Sequence, residues 1–443
     1  MNKKHLVPPP RRGRAAGSAT PAGARRMAIL AGVLAAGLST AAPAVAELGT
    51  DVQGLLDHAR TQNPELALMR AEAEAAAKRV EPAGALPDPL LRVELMNVNN
   101  YGNDAGFNLL PSKVGETRYT LMQLLPWWGK RDLRRGIANA DVQQAQARTA
   151  AAWTELSMRI QAAYARYYLA AGNERLTREI LDLMKRVEQI AQARYAGGLV
   201  VQQDAIRAQL EQTTMRAELI MLQSDKRQQR ARLNALLARP ADAPLAEPQA
   251  LRPLPPAGTL DPGALAERVR AANPQLMAEG ARLASAEKSR ELTRRNRYPD
   301  FSVGLQPTQM GSRITSWGVM FEVNIPLQQG TRRAQEAEAE AMVAAAQARS
   351  QNLVNQLVGE LGETVAMLDA ARQSEALATS QTLPQSDLSL RSAIAAYENG
   401  RLDFTALLEA QRQIRKARQE QLKAQAEARV RLAEIERIVG EPL

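Results

Sequence analysis

Cysteine is absent from this 443-residue chain, which excludes a disulfide framework, a thiolate metal site and a cysteine nucleophile. Histidine is nearly absent. Of the two present, His5 lies in a basic leader and His58 stands alone in the remainder, so a serine–histidine catalytic pair has a single imidazole to draw on. Aromatic residues make up 4% of the chain, and no uninterrupted apolar run of about 18 residues follows residue 46, which argues against a helical membrane span. Proline is missing from 127–239, 327–383 and 385–441, where Ala, Gln, Arg, Glu and Leu dominate. Those side chains lose little rotamer freedom in a helix, and nothing there interrupts one.

The first 46 residues carry seven basic residues and no acidic one, then an apolar run from Met27 to about Leu38, then Ala44-Val45-Ala46. This is the order of a secretory signal, and it predicts an exported protein with residues 1–46 removed and no N-terminal cysteine to carry a lipid anchor. A basic arm for nucleic acid would fit Lys3 to Arg26 but not the apolar run that follows. With the leader gone the formal charge falls from +10 by seven, and 10 minus 7 leaves +3. No nucleic-acid partner is expected from so small a surplus.

The remainder repeats its own plan at an offset of about two hundred residues. Asn63-Pro64-Glu65-Leu66 recurs as Asn273-Pro274-Gln275-Leu276, Leu86-Pro87-Asp88 as Tyr298-Pro299-Asp300, and Leu125-Pro126 as Ile325-Pro326. Arg194-Tyr195-x-x-Gly198 recurs as Ala396-Tyr397-x-x-Gly400. These landmarks predict two repeats, 47–240 and 263–443, joined by a proline- and alanine-rich linker, 241–262. From Gly129 to Tyr195 the sequence predicts one helix, about 100 Å long at ~1.5 Å per residue. Leu176, Ile180, Leu183, Val187 and Ile190 alternate spacings of four and three along it, a coiled-coil seam. After Gly197-Gly198 a second helix returns to Arg239, giving a helical hairpin over 129–239. The second repeat predicts helices over 329–381, 385–398 and 402–439, with Pro384 as a kink or small connector and a turn at Asn399-Gly400.

Between each opening helix and its long helix the period changes to two. Trp317, Val319, Phe321, Val323 and Ile325 alternate with Ser316, Gly318, Met320, Glu322 and Asn324, which predicts a strand over 314–325 with one apolar and one polar face. Residues 301–307, 90–98 and, less cleanly, 117–125 predict three more. Strands of about ten residues span a bilayer when tilted, but four cannot close a barrel, and an open edge is not tolerated in lipid. The competing reading, a soluble sheet capping a helical bundle, has to place Arg92 and Glu322 in a dry interior.

Taken together, the two Asn-Pro openings, the paired strand pairs, the Leu125-Pro126 and Ile325-Pro326 junctions and the Tyr-x-x-Gly turns resemble the TolC-type outer-membrane efflux family over nearly the whole mature chain. The resemblance implies a mostly α fold with a small β part: long antiparallel coiled-coil hairpins forming a periplasmic α-barrel, and four strands per chain in a twelve-stranded barrel shared by a homotrimer. It implies an outer-membrane conduit in a tripartite efflux system, partnered by a periplasmic adaptor, an inner-membrane RND-type pump and outer-membrane lipid, with no enzyme activity and no cofactor. Pro126-Trp127-Trp128-Gly129-Lys130-Arg131 is similar to the heavy-metal branch served by RND pumps; drug efflux or type I secretion through the same fold is the alternative, and a pore-free coiled-coil adaptor is the alternative of another class. The scatter of the fourteen methionines fits core filling better than a copper path.

For a duct the chemistry to seek is selectivity and gating. Inward carboxylates become rings under threefold symmetry, so Asp204, Asp403 and Glu409, close behind the two turns, are gate candidates. Glu409 matches a position where relatives place a gating aspartate, while the neighbouring acidic position of some relatives is Ala406 here. Tyr397 and Arg401 are the expected hydrogen-bonding partners of a closed state. Gly197, Gly198, Leu199, Asn399 and Gly400 are the expected adaptor-docking tips, because glycine permits close approach of another hairpin. Trp317, Val319, Phe321, Val323 and Ile325 are the expected lipid-facing row.

Overall fold

The computed structural model describes residues 48–99, 106–198 and 201–443, so the leader and Leu199 lie outside the described residues. The first half opens with α1 (Val52–Gln62), α2 (Pro64–Lys78) and α3 (Val80–Gly84), followed by β1 (Leu90–Met96), β2 (Glu116–Leu125), α4 (Lys130–Ala196) and α5 (Gln202–Leu236). The second follows the same order with α6 (Pro262–Ala272), α7 (Pro274–Arg295), β3 (Asp300–Met310), β4 (Arg313–Asn324), α8 (Gln329–Leu377), α9 (Leu383–Glu398) and α10 (Phe404–Val439). Where the first half has two opening helices after its asparagine, the second has one. Pro82 accounts for the difference, since it has no N–H to continue the ladder past Lys78.

The two Asn-Pro turns are built alike. Asn63 caps α2 by accepting from the Glu65 N–H at 2.8 Å, and its Nδ2 donates to the Leu236 carbonyl at 2.9 Å. Asn273 caps α7 by accepting from Gln275 and Leu276, and donates to the Ile438 carbonyl at 2.7 Å. In each half one buried amide thus ties the opening helix to the last turn of the returning hairpin.

The seam on α4 packs as its spacing predicts: Leu176, Ile180 and Val187 are buried, with Leu183 and Ile190 half-covered, against Ala208 and Met215 of α5, Leu390 and Ala393 of α9, and Phe404, Leu407 and Ile414 of α10. Between α8 and α9 the helix runs on without a break, through a π-helical turn at Ala378–Thr382. Pro384 cannot donate to the carbonyl four residues back and would press its ring against it; widening the preceding turn by one residue relieves both problems. The sequence separates helices over 329–381 and 385–398; the structure keeps one helical path.

The linker is ordered rather than free. Leu245 and Leu251 pack on the core of the first half and Leu254 on that of the second. Glu247 pairs with Lys226 of α5 at 2.6 Å, and Lys226 in turn reaches the buried Glu174 of α4 at 2.5 Å. Arg252 pairs with the buried Glu436 of α10 at 2.8 Å.

The four strands form one antiparallel sheet in the order β1-β2-β3-β4, with β2 and β3 pairing across the two halves. The register puts Leu91, Leu121, Leu305 and Val319 in one cross-strand row, and Leu125, Phe301 and Val323 in another, all on one face. The opposite face carries Arg92 opposite Thr120, Glu94 opposite Arg118, Gly304 opposite Met320, and Ser302 opposite Glu322. On the apolar face Trp317, Val319 and Phe321 are 70%, 78% and 64% exposed, and Ile325 just beyond β4 is exposed as well. No described helix is long and apolar enough to cross a membrane.

Candidate gate and docking tips

Each hairpin turns on a glycine whose backbone an L side chain rarely adopts: Gly198 has φ +70° and Gly400 φ +74°. The Gly198 N–H donates to the Tyr195 carbonyl at 2.9 Å and the Gly400 N–H to the Tyr397 carbonyl at 3.0 Å, so the two turns close in the same way. Gly197 ends α4 by donating to Ala193, and Asn399 donates its side-chain amide to Ala395 at 2.8 Å.

The equivalent tyrosines have opposite fates. Tyr195 is half exposed, whereas Tyr397 is 1% exposed and meets Phe404 edge-on at 5.7 Å. The Arg194 guanidinium lies 5.0 Å from the Tyr397 ring centre and donates to its carbonyl, so it clamps the second turn from the first. Within the described chain the Tyr397 hydroxyl has no hydrogen-bond partner. Burial pushes its pKa up, the Asp204 carboxylate adds to the rise, and Arg194 opposes it, so the phenol keeps its proton at any ordinary pH.

The three carboxylates occupy different local settings. Asp403 caps α10 by accepting from the Ala406 N–H at 2.8 Å. Glu409 is exposed and takes only a long 3.4 Å contact from Gln413. Six residues apart, the two lie about 120° apart around the helix. Asp204 sits in the first turn of α5, close enough to Tyr397 to raise its pKa. The Arg401 side chain is exposed and makes no hydrogen bond or ion pair among the described residues; its backbone N–H donates to Ala396 at 2.8 Å.

The outer membrane efflux protein model matches residues 55–239 and again 265–441. The chain belongs to the outer membrane efflux protein family. As a member it is an outer-membrane channel, generally one component of a tripartite efflux system, and not an enzyme. Its fold is that of several solved channels. It superposes on the outer-membrane channel OprN with a TM-score of 0.73 at 21% identity, covering 88% of this chain and 89% of that one. VceC from Vibrio cholerae gives 0.74 at 19% over 88% and 96%, and CusC 0.74 at 16% over 88% and 92%. No curated protein sequence matches the chain.

Several contacts of this efflux protein lie beyond what its sequence announced. Arg207 donates to Thr405 at 2.9 Å, Arg412 pairs with Glu211 at 3.0 Å, Arg415 with Glu218 at 2.6 Å, and Arg418 with Glu179 at 3.2 Å, so a ladder binds α10 to α5 and α4. The three-residue spacing of Arg412, Arg415 and Arg418 is the signal that marks this stripe. At the other end of α4, Lys130 is buried and bonded to Asp300 at 2.8 Å and to the Tyr298 carbonyl at 3.0 Å, while Asp300 also accepts from the Trp127 N–H. Trp127 stacks on Tyr298 at 5.1 Å. The Trp-Trp-Gly-Lys segment therefore fastens β3 to the start of α4.

Proposed function

We propose that three copies of this channel chain close a twelve-stranded barrel in the outer membrane, continued by their helical hairpins into a periplasmic tunnel. The observation that carries this is the sheet: one face is apolar and exposed, the other is charged, and β1 and β4 are edges. An apolar face in water and open edges in lipid are each unfavourable, and ring closure with lipid outside removes both. The charged face then lines the lumen. The two halves are the product of an internal duplication, which their matching asparagine ties support.

In this reading the hairpin tips lie at the periplasmic mouth. Tyr397, Arg401, Asp204, Asp403 and Glu409 are the gate candidates, and the turns at 197–199 and 399–400 meet an adaptor that couples the duct to an inner-membrane RND-type pump. The cargo proposed is a heavy-metal cation. That choice rests on resemblance at residues 126–131 alone, since those residues also have a fastening role that any cargo would require. Sensitivity of a deletion strain decides it: hypersensitivity to metals and not to drugs supports the metal branch, and the reverse pattern overturns it.

The assembly is tested by Val319→Arg. A cation on a lipid-facing strand near mid-bilayer costs about 2–4 kcal/mol, so the yield of detergent-extracted, heat-modifiable trimer should collapse. The same substitution at Ser316 on the lumen face should leave it intact. Equal trimer yields from the two variants would sink the barrel reading.

A further inference from the structure

Just below the apolar sheet face is a cavity of about 600 Å³ at the junction of strands and helices. Its wall is aromatic and aliphatic: Leu86, Trp127, Trp128, Phe301, Val303 and Phe321. Trp128 is 72% exposed, meets Trp127 edge-on at 5.0 Å and lies 6.2 Å from Phe301. Its floor is cationic. Arg131 donates Nε to the Gly84 carbonyl at 2.9 Å, and Arg135 lies over the same glycine so closely that a Cβ there would fall 2.6 Å from its Nε. Two guanidiniums therefore converge on one residue, and neither makes an ion pair among the described residues. Asp132 also lines the cavity and leaves its net charge at +1, two arginines against one carboxylate.

The surroundings carry the same sign. Segments 127–135, 290–300 and 326–336, which contain the ends of the long helices and the strand junctions, hold ten Lys and Arg against four Asp and Glu. A basic level next to an apolar, tryptophan-rimmed face has the arrangement that anionic lipid selects: acyl chain on the aromatic wall, phosphate on the arginines.

We propose that this cavity binds an anionic glycerophospholipid, of the phosphatidylglycerol type, from the periplasmic leaflet of the outer membrane. Gly84 is small because a side chain there would displace Arg135, and Arg131 is held in place by the Gly84 carbonyl, so the phosphate seat is preformed. The inference rests on the reading of the apolar face as lipid-facing.

The experiment reconstitutes the full chain into phosphatidylcholine vesicles with and without phosphatidylglycerol, then counts lipids retained on the extracted oligomer by native mass spectrometry. The wild type should retain phosphatidylglycerol over phosphatidylcholine. Arg135→Gln, which breaks no hydrogen bond or ion pair among the described residues, should lower that retention about fivefold, the factor corresponding to ~1 kcal/mol per arginine. Arg131→Gln should do the same, and Trp128→Ala should weaken retention of the lipid without affecting inorganic phosphate. Equal retention of the two lipids by the wild type, no change in Arg135→Gln, or full displacement of the lipid by inorganic phosphate would overturn the inference while leaving insertion intact. Failure of the barrel reading has another signature: the chain enters neither vesicle population, and both proposals fall together.

Discussion

At the scale of single residues, the most constrained side chain is Lys130. It is 2% exposed and its ammonium bonds Asp300 and a backbone carbonyl, so removing it takes the cation from a partly buried carboxylate that keeps only the Trp127 N–H, and leaves the Tyr298 carbonyl without that donor. Lys130→Met should cost about 2 kcal/mol, read as a lower urea midpoint, and adding Asp300→Asn should recover part of the loss. An unchanged midpoint would mean water replaces the ammonium. Tyr397 makes the opposite case. Its hydroxyl is buried without a partner among the described residues, so Tyr397→Phe should shift stability by less than about 0.5 kcal/mol, whereas Tyr397→Ala, which empties the space against Phe404, should cost about 3–5 kcal/mol. A large loss in Tyr397→Phe would reveal a hydroxyl partner supplied by a neighbouring subunit.

At the scale of elements, the linker's attachment is electrostatic as well as apolar, and that makes it pH-dependent. Burial alone would lower the Lys226 pKa, but its bonds to Glu174 and Glu247 outweigh that and raise it. The Lys226 hydrogen bond holds the Glu247 pKa below the ordinary carboxylate range, against a smaller opposing effect of burial. The raised lysine contributes stability that is complete below its unfolded pKa of about 10.4 and lost as pH rises through the folded value. The lowered glutamate contributes stability that is complete above its unfolded pKa of about 4.3 and lost as pH falls through the folded value. Amide exchange over 241–252, corrected for intrinsic rates, should therefore be slowest between those limits and accelerate outside them. A flat profile would mean that Leu245 and Leu251 alone hold the linker.

Elements whose signal is periodic were legible in the sequence. The strict alternation at 316–325 fixed which face of β4 is apolar, and the four–three spacing from Leu176 to Ile190 fixed the buried side of α4. β2 was harder, because Tyr119 and Gln123 fall on its apolar side and Met122 and Leu124 on its polar side; its pairing with β1 and β3 assigns the faces. The candidate site was less legible still. Arg194 and Tyr397 are 203 residues apart, and no local pattern says that one turn clamps the other. A tyrosine beside a surface turn reads as exposed, yet contact between the two hairpins buries it. Pro384 reads as a break because proline opposes an α-turn, and the π-turn that accommodates it leaves no mark in the local composition.

At the scale of the whole molecule, the halves share a plan but not an ending. The first hairpin presents an accessible tyrosine at its tip, the second a buried one, and the arginine ladder locks the returning helix of the second half against the first hairpin. The pairing of β2 with β3 has a consequence of a different kind, for the order in which the chain folds. Thr117 faces Gln309, a separation of 309 minus 117, or 192 residues, and closing a free loop of that length costs about 5 kcal/mol. The hairpins of α4 with α5, of α9 with α10, of β1 with β2 and of β3 with β4 need no such closure, whereas the packing of α4 on α7 and α10 joins the same two halves and shares the long closure with the central strand pair. The local hairpins should therefore precede the central strand pair. In pulse-labelled refolding, amides of the α4–α5 hairpin should gain protection before the β2 and β3 amides that bond across the two halves, and simultaneous protection would contradict this order. The greasy surface is thus completed only when the halves join, so until then it is divided between two small hairpins instead of being displayed as one sheet, which limits aggregation before the chain reaches lipid.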